Sequence, residues 1–203
     1  MGQLSEQSKA ELSKAVAEIE RSSAAEIVIA VRPHATPGLA PCALAGLALG
    51  LTGLAFLMFS PWPFSYLAIW LDTALLALFG AFVCHRFARV RRWCTPRSLA
   101  EASVERAAKA EFVECRVFET RERTGVLIYV AQTERLAKVL PDRGVSERVD
   151  QAKWHQAVAR IAHSVEKSDE GSELASAIMG LAPLLGAALP PREDDFNELE
   201  DLA

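Results

Sequence analysis

Three kinds of hydrophobic patterning follow one another along this chain. The first is helical. Leu12, Val16 and Ile19 recur every three to four residues behind a Ser8–Glu11 capping-box pattern, which predicts a helix over 8–22. The second is continuous. Glu26-Ile27-Val28-Ile29-Ala30-Val31 is apolar on both faces and rich in β-branched residues, as a central strand covered on both sides would be, and Pro33 ends it. The third is a long block without charge: from Pro33 to Leu71 there is no Asp, Glu, Lys or Arg, Asp72 interrupts once, and the apolar run resumes to Cys84.

That block is long enough to cross a bilayer twice. Residues 39–59 and 64–84 are each close to the length that spans about 30 Å at 1.5 Å per residue. Ser60-Pro61-Trp62-Pro63 between them predicts a tight turn in the headgroup zone, and hence an antiparallel transmembrane hairpin within 34–92. Arg86, Arg89, Arg91 and Arg92 follow the second span, whereas the turn has no cation. This asymmetry predicts cytoplasmic ends and an external turn, in a bacterial inner membrane. Asp72 costs about 3 kcal/mol in a span, which the surrounding Leu, Ile, Phe and Val residues offset. It is either a polar site or a carboxyl hydrogen-bonded within the hairpin or to a second copy. Ala43, Gly46, Gly50 and Gly53 form a stripe of small residues on the first span, with Ala74, Ala77 and Ala81 on the second. Such stripes let helix backbones approach closely, within the hairpin or in a homodimer.

Beyond the block, Ser98 and Glu101 repeat the capping pattern, and Val104, Ala108, Phe112 and Cys115 predict a helix to about Glu119. Val126-Leu127-Ile128-Tyr129-Val130-Ala131 reads as a second buried strand and Arg135–Leu140 as its hairpin partner. Asp150 caps a helix whose buried stripe is Trp154, Val158, Ile161 and Val165. Ser168–Ser172 is a polar break, and Leu174, Ile178, Leu181 and Leu185 mark a last helix kinked at Pro183. The acidic stretch within 189–203 is expected to be disordered. One strand cannot make a sheet, so 1–33 must join 93–188 in a single α/β domain into which the hairpin is inserted.

Composition changes this picture little. The 203 residues carry a formal net charge of −4, which argues against nucleic acid as a partner. The charged opening helix does not read as a signal peptide. None of Cys42, Cys84, Cys94 and Cys115 has the spacing of a zinc site, so free thiols are expected.

The stretches AVAEIERSSAAEIVIAV and RERTGVLIYVAQTERLAKVLPDRGV resemble the opening helix and strand, and the later strand pair, of TPM domains. The ending PPREDDFNELEDL is similar to a bacterial membrane-protein branch of that family, which joins thylakoid-lumen and photosystem II repair proteins with an acetylcholine-receptor accessory protein. The resemblance implies a three-layer α/β/α fold and a role beside membrane complexes. It also implies acid phosphatase activity and calcium binding as family possibilities. Here Thr124 precedes Gly125 where many members have an acidic or amide residue, and Asp142-Arg143-Gly144 replaces a glycine-aromatic-glycine turn.

Asp142, at a strand end, and Glu26, which opens the first strand, are the candidate catalytic or metal-binding carboxylates. Ordinary turn chemistry explains Asp142 equally well. Arg121, Glu122 and Arg123 flank the second strand, and His155 and His163 lie on a helix with no third ligand. The arginines at 86–92 face the membrane surface, where anionic lipid is a partner. Three functions follow. The first is a membrane-anchored interaction protein supporting assembly or maintenance of an envelope complex, bound to a membrane protein or to its own copy. The second is a phosphatase-like or divalent-metal hydrolase without other cofactor. The third is a small transporter or channel subunit using Asp72. In a variant lacking the native cysteines, new cysteines at Ser22 and Ser168 should react with an impermeant maleimide from one side of the membrane, and one at Ser60 from the other. Labels on opposite faces at the first two sites exclude a shared domain.

Overall fold

The computed structural model describes residues 6–36, 38–167 and 171–191. The chain divides into two compact units, one comprising Met1–Ala35 with Glu101–Ala203 and the other Thr36–Ala100.

The first unit is mixed α/β. Its sheet has the order β1-β2-β3, with β1 (Glu26–Arg32) parallel to β2 (Gly125–Ala131) and β2 antiparallel to β3 (Leu136–Pro141). Ile27 registers with Val126 and Ile29 with Ile128, while Ile128 lies opposite Val139 on β3. The alternation of the strands divides the apolar residues between two clusters. Ile27, Ile29, Val126, Ile128 and Val130 pack with α1 (Glu6–Ser22), α7 (Gln151–Lys167), α8 (Gly171–Met179) and α9 (Ala182–Ala188) through Leu12, Ile19, Ile161, Ile178 and Leu185. Val28, Ala30, Leu127 and Tyr129 pack with Val104 and Ala108 of α5 (Arg97–Glu114) and with Val117. Every residue of β2 is buried, which is why its sequence shows no polar alternation.

Several boundaries differ from the sequence reading, each for a local reason. Ser8 and Ser98 lie inside α1 and α5, so neither is the cap that its spacing suggested. The helix predicted to Glu119 ends at Glu114, because Arg116 adopts a left-handed φ of 52° before a 3-10 turn at Val117–Glu119. Pro141 belongs to β3 as its last residue, which an edge strand tolerates. The final helix is two helices broken at Gly180–Leu181. Pro183 sits in the first turn of α9, where its missing N–H is harmless, and does not kink a continuous helix. The polar break at 168–170 and the acidic stretch from 192 onward lie outside the described residues. Leu189, assigned to the tail, is buried in the core and its carbonyl accepts a bond from Ala24 N at 3.0 Å.

The second unit holds α2 (Leu39–Phe59) and α3 (Tyr66–Arg86), packed along their length, and α4 (Ala88–Cys94). The Ser65 hydroxyl caps α3 by accepting from Ala68 N at 3.2 Å, two residues later than the predicted start. Gly46 and Gly50 face Ala77 and Ala81, Gly53 faces Leu76, and Gly80 approaches the Ala45 carbonyl. A methyl group at Gly50 would lie 3.0 Å from the Ala77 methyl carbon, so the small-residue stripe sets the helix separation. Apart from Val113, every exposed large hydrophobic residue among those described lies between Leu39 and Trp93. Such a continuous apolar surface is that of a membrane-associated protein. Three helical stretches are long and apolar enough to cross a membrane: Leu39–Phe59, Tyr66–Arg86 and Gly171–Ala188. In the third, Leu174, Ile178, Leu181 and Leu185 are buried in the α/β core, which already satisfies its apolar face.

Ile128→Ala is expected to cost about 2–5 kcal/mol by denaturant titration in detergent. Leu78→Ala, on an exposed face of α3, should stay within about 0.5 kcal/mol.

Candidate functional site

Both candidate carboxylates lie at one end of the sheet. Glu26 registers with Gly125, and Asp142 N donates to the Gly125 carbonyl at 2.8 Å. Glu26 and Asp142 therefore sit on the two outer strands with β2 between them, about 10 Å apart across two strand spacings. Each is buried, at 8% and 9% exposure.

Asp142 is already engaged. It caps α6 (Arg143–Arg148), a helix absent from the sequence reading, where a turn was expected. Its Oδ1 accepts from Arg143 N at 2.7 Å, and its Oδ2 lies 3.7 Å from the Arg123 guanidinium. Arg123 is held there by backbone geometry. It has a left-handed φ of 58°, its N–H donates to the Thr120 carbonyl at 3.1 Å, and its carbonyl accepts from Gly144 N at 2.9 Å. Gly144 is required at this position because a Cβ would strike the carbonyls of Glu122 and Arg123. Arg148 at the end of α6 reaches Glu122 at 2.8 Å. Loop, cap and strand end thus lock together through backbone bonds and charge pairs.

A calcium ion does not suit this arrangement. Calcium takes six or more oxygens, and among the described residues no group of three or more His, Cys, Asp or Glu side chains could hold a metal. The nearest charge to the Asp142 carboxylate is a cation, which opposes a second one. General acid–base work by the pair is equally hindered, because about 10 Å of separation places no shared atom within hydrogen-bond reach of both.

A polar cluster that the sequence did not disclose lies at the other end of the strands. Arg32 pairs bidentately with Glu111, donating from Nε at 3.2 Å and through a short bond from Nη2. Cys115 Sγ donates to Glu111 at 3.7 Å, and Glu134 accepts from Ala35 N at 3.2 Å. The hydrogen bond to Glu111 raises the Arg32 pKa. Burial, then the Glu111 charge, raises the Cys115 thiol, and burial followed by Glu111 and Glu134 raises the Tyr129 phenol. A thiol pushed up in this way is a poor nucleophile. Arg32 and Glu111 stand 79 positions apart, so no spacing rule could have joined them.

His155 and His163 are exposed on α7, with His155 Nδ1 at 2.5 Å from the Gln151 carbonyl. Within the hairpin unit the Cys84 thiol lies within hydrogen-bonding reach of both Cys42 and Cys94. Arg86 stacks 5.8 Å from the Phe87 ring, while Arg89, Arg91 and Arg92 ride on α4, a helix that the sequence reading had merged into the arginine cluster. Asp72 is the seventh residue of α3, nearer its start than the middle of the span, and is exposed on the hairpin surface.

Open clefts also mark the surface. One of about 410 Å³ lies between α7 and α9, lined by Arg148, Lys153 and Arg160 on one side and by Pro183, Leu184 and Ala188 on the other. Its cations at Lys153 and Arg160 are seven positions apart on α7, a periodicity visible in the sequence but uninformative until α9 faces it.

No family model and no curated protein matches the chain. Among solved structures, the NMR structure of BA42 protein from the psychrophilic bacterium Bizionia argentinensis is similar, at 14% identity over 100% of this chain and 97% of that one, with a TM-score of 0.59. At that identity the likeness concerns the fold alone.

Asp142→Ala should lower stability by about 1 kcal/mol through loss of the cap. Asp142→Asn should retain most of it, because the amide oxygen still accepts from Arg143 N. Equal losses in the two variants by thermal denaturation would contradict a capping role.

Proposed function

We propose that this chain is a membrane-anchored accessory protein of the TPM type. On this reading a three-layer α/β/α domain on the cytoplasmic side of a bacterial inner membrane is tied to the bilayer by two spans. It supports assembly or maintenance of an envelope complex by binding, without chemistry of its own. The observation that carries the reading is the pairing of an exposed apolar hairpin with a sheet end whose acidic residue is spent on a helix cap and an arginine pair.

Two further features support it. Asp72 faces outward from α3, and no partner within the hairpin reaches it among the described residues. A carboxyl on a lipid-facing surface is costly unless a donor from another chain meets it, which favours a membrane-protein partner or a second copy. Arg86, Arg89, Arg91 and Arg92, without a single acid between Asp72 and Glu101, favour a cytoplasmic position beside anionic lipid. The hydrolase reading gains nothing from the sheet end, where Arg123 covers Asp142. The transport reading is weaker still, because an outward Asp72 lines no path through the hairpin.

Affinity capture from membranes at native expression, in mild detergent, should recover the same envelope protein or a second copy repeatedly, and Asp72→Leu should reduce that recovery. Isolation of the chain alone in every preparation would sink the proposal. So would phosphomonoester hydrolysis, with or without divalent ions, that disappears in the Asp142→Ala and Glu26→Ala double variant.

A further inference from the structure

The cleft between α7 and α9 is lined by unlike walls. Arg148, Lys153 and Arg160 form the basic side, and Pro183, Leu184 and Ala188 the apolar side. Arg148 already shares Glu122. The one carboxylate in the lining, Asp150, caps α7 by accepting from Ala152 N and Lys153 N at 2.9 and 3.1 Å. Neither Lys153 nor Arg160 has an ion-pair partner among the described residues, and both are exposed. Seven positions along a helix separate them by about 10 Å. That row is too long to converge on one small anion. It fits a chain carrying several carboxylates spaced along its length, with apolar side chains between them to meet Leu184 and Ala188.

Such a segment follows directly. Residues 193–201 supply Glu193, Asp194, Asp195, Glu198, Glu200 and Asp201, with Phe196, Leu199 and Leu202 interspersed. It begins just after Pro190 and Pro191, and Ala188, at the end of α9, is itself part of the cleft wall. The five residues from Ala188 to Glu193 reach at most about 17 Å. A tether so short raises the effective concentration of the acidic segment at the cleft to about the millimolar range, well above that of a free competitor. We propose that the chain's own acidic segment, 192–203, occupies this cleft, its carboxylates on Lys153 and Arg160 and its apolar residues against α9. The contact does not depend on the accessory role proposed above. If that role holds, the segment guards a surface that an acidic stretch of a partner can take over.

Carbodiimide coupling tests the contact in the full chain held in detergent. The reagent joins a lysine amine to a carboxylate with loss of water, so only groups in contact are linked. The expected result is an intramolecular link from Lys153 to an acid of 193–201, exceeding any link from the exposed Lys14, suppressed by 0.5 M salt and weakened in Arg160→Glu. Equal coupling at Lys14 and Lys153 would overturn the proposal, as would links that join two chains only. A chain ending at Pro191 supplies a second arm. It should bind a synthetic peptide of sequence 192–203, and Lys153→Glu with Arg160→Glu should weaken that binding about tenfold. Both substituted residues are exposed, so far-UV circular dichroism should not change, and absence of peptide binding by the unsubstituted truncated chain would likewise refute the contact.

Discussion

The parallel pairing of β1 with β2 is the constraint on which the α/β unit rests. A β1 strand with Ile27 and Ile29 on one face and Val28 and Ala30 on the other has no stable place until both faces are covered. β2 supplies its hydrogen bonds and α1, α7, α8 and α5 its cover. Parallel strands need a crossover connection, and here that connection contains the hairpin unit followed by α5. An insertion of 65 residues, Thr36–Ala100, is tolerated at this place because the chain must leave the sheet edge and return in any case. The entropic cost of lengthening such a connection grows only slowly with its length.

The polar groups of the α/β unit are spent on holding that sheet together. Arg123 and the α6 N-terminus consume Asp142 at one end, and Arg32 consumes Glu111 at the other. Both arrangements bring a carboxylate to a guanidinium in a largely buried setting, where removing one partner strands the other charge. A protein whose buried ionisable groups are so paired has little left for acid–base or metal chemistry. Its unpaired charge lies instead on open surface, at Lys153 and Arg160 and along the arginines of α4. Surfaces of that kind recognise acidic chains and lipid headgroups, which accords with a role in binding.

Much of the fold was legible because it follows from local periodicity. The apolar runs of β1 and β2, the stripes of α1 and α7 and the small-residue stripe from Gly46 to Gly53 are written in residue spacing, and a spacing survives whatever else the chain does. The misreadings share a cause. Ser8 and Ser98 matched a capping pattern, yet the backbone ahead of each was already helical. Asp142-Arg143-Gly144 matched a turn, yet a close approach to Glu122 and Arg123 made it a helix start. A short motif states which conformations a segment can adopt, and its neighbours in space choose among them.

By itself, the sequence determined that one stretch of this chain prefers lipid, that two separated strands must be reunited, and that helices cover them, because hydrophobic burial follows from the order of residues. It did not determine which charges meet. The Arg32–Glu111 pair, the Arg123 guanidinium against Asp142 and the facing of Lys153 and Arg160 by α9 arose only when the folded backbone brought distant positions within a few ångströms. Electrostatic interactions depend on that separation and on burial, and neither quantity is encoded in distance along the chain.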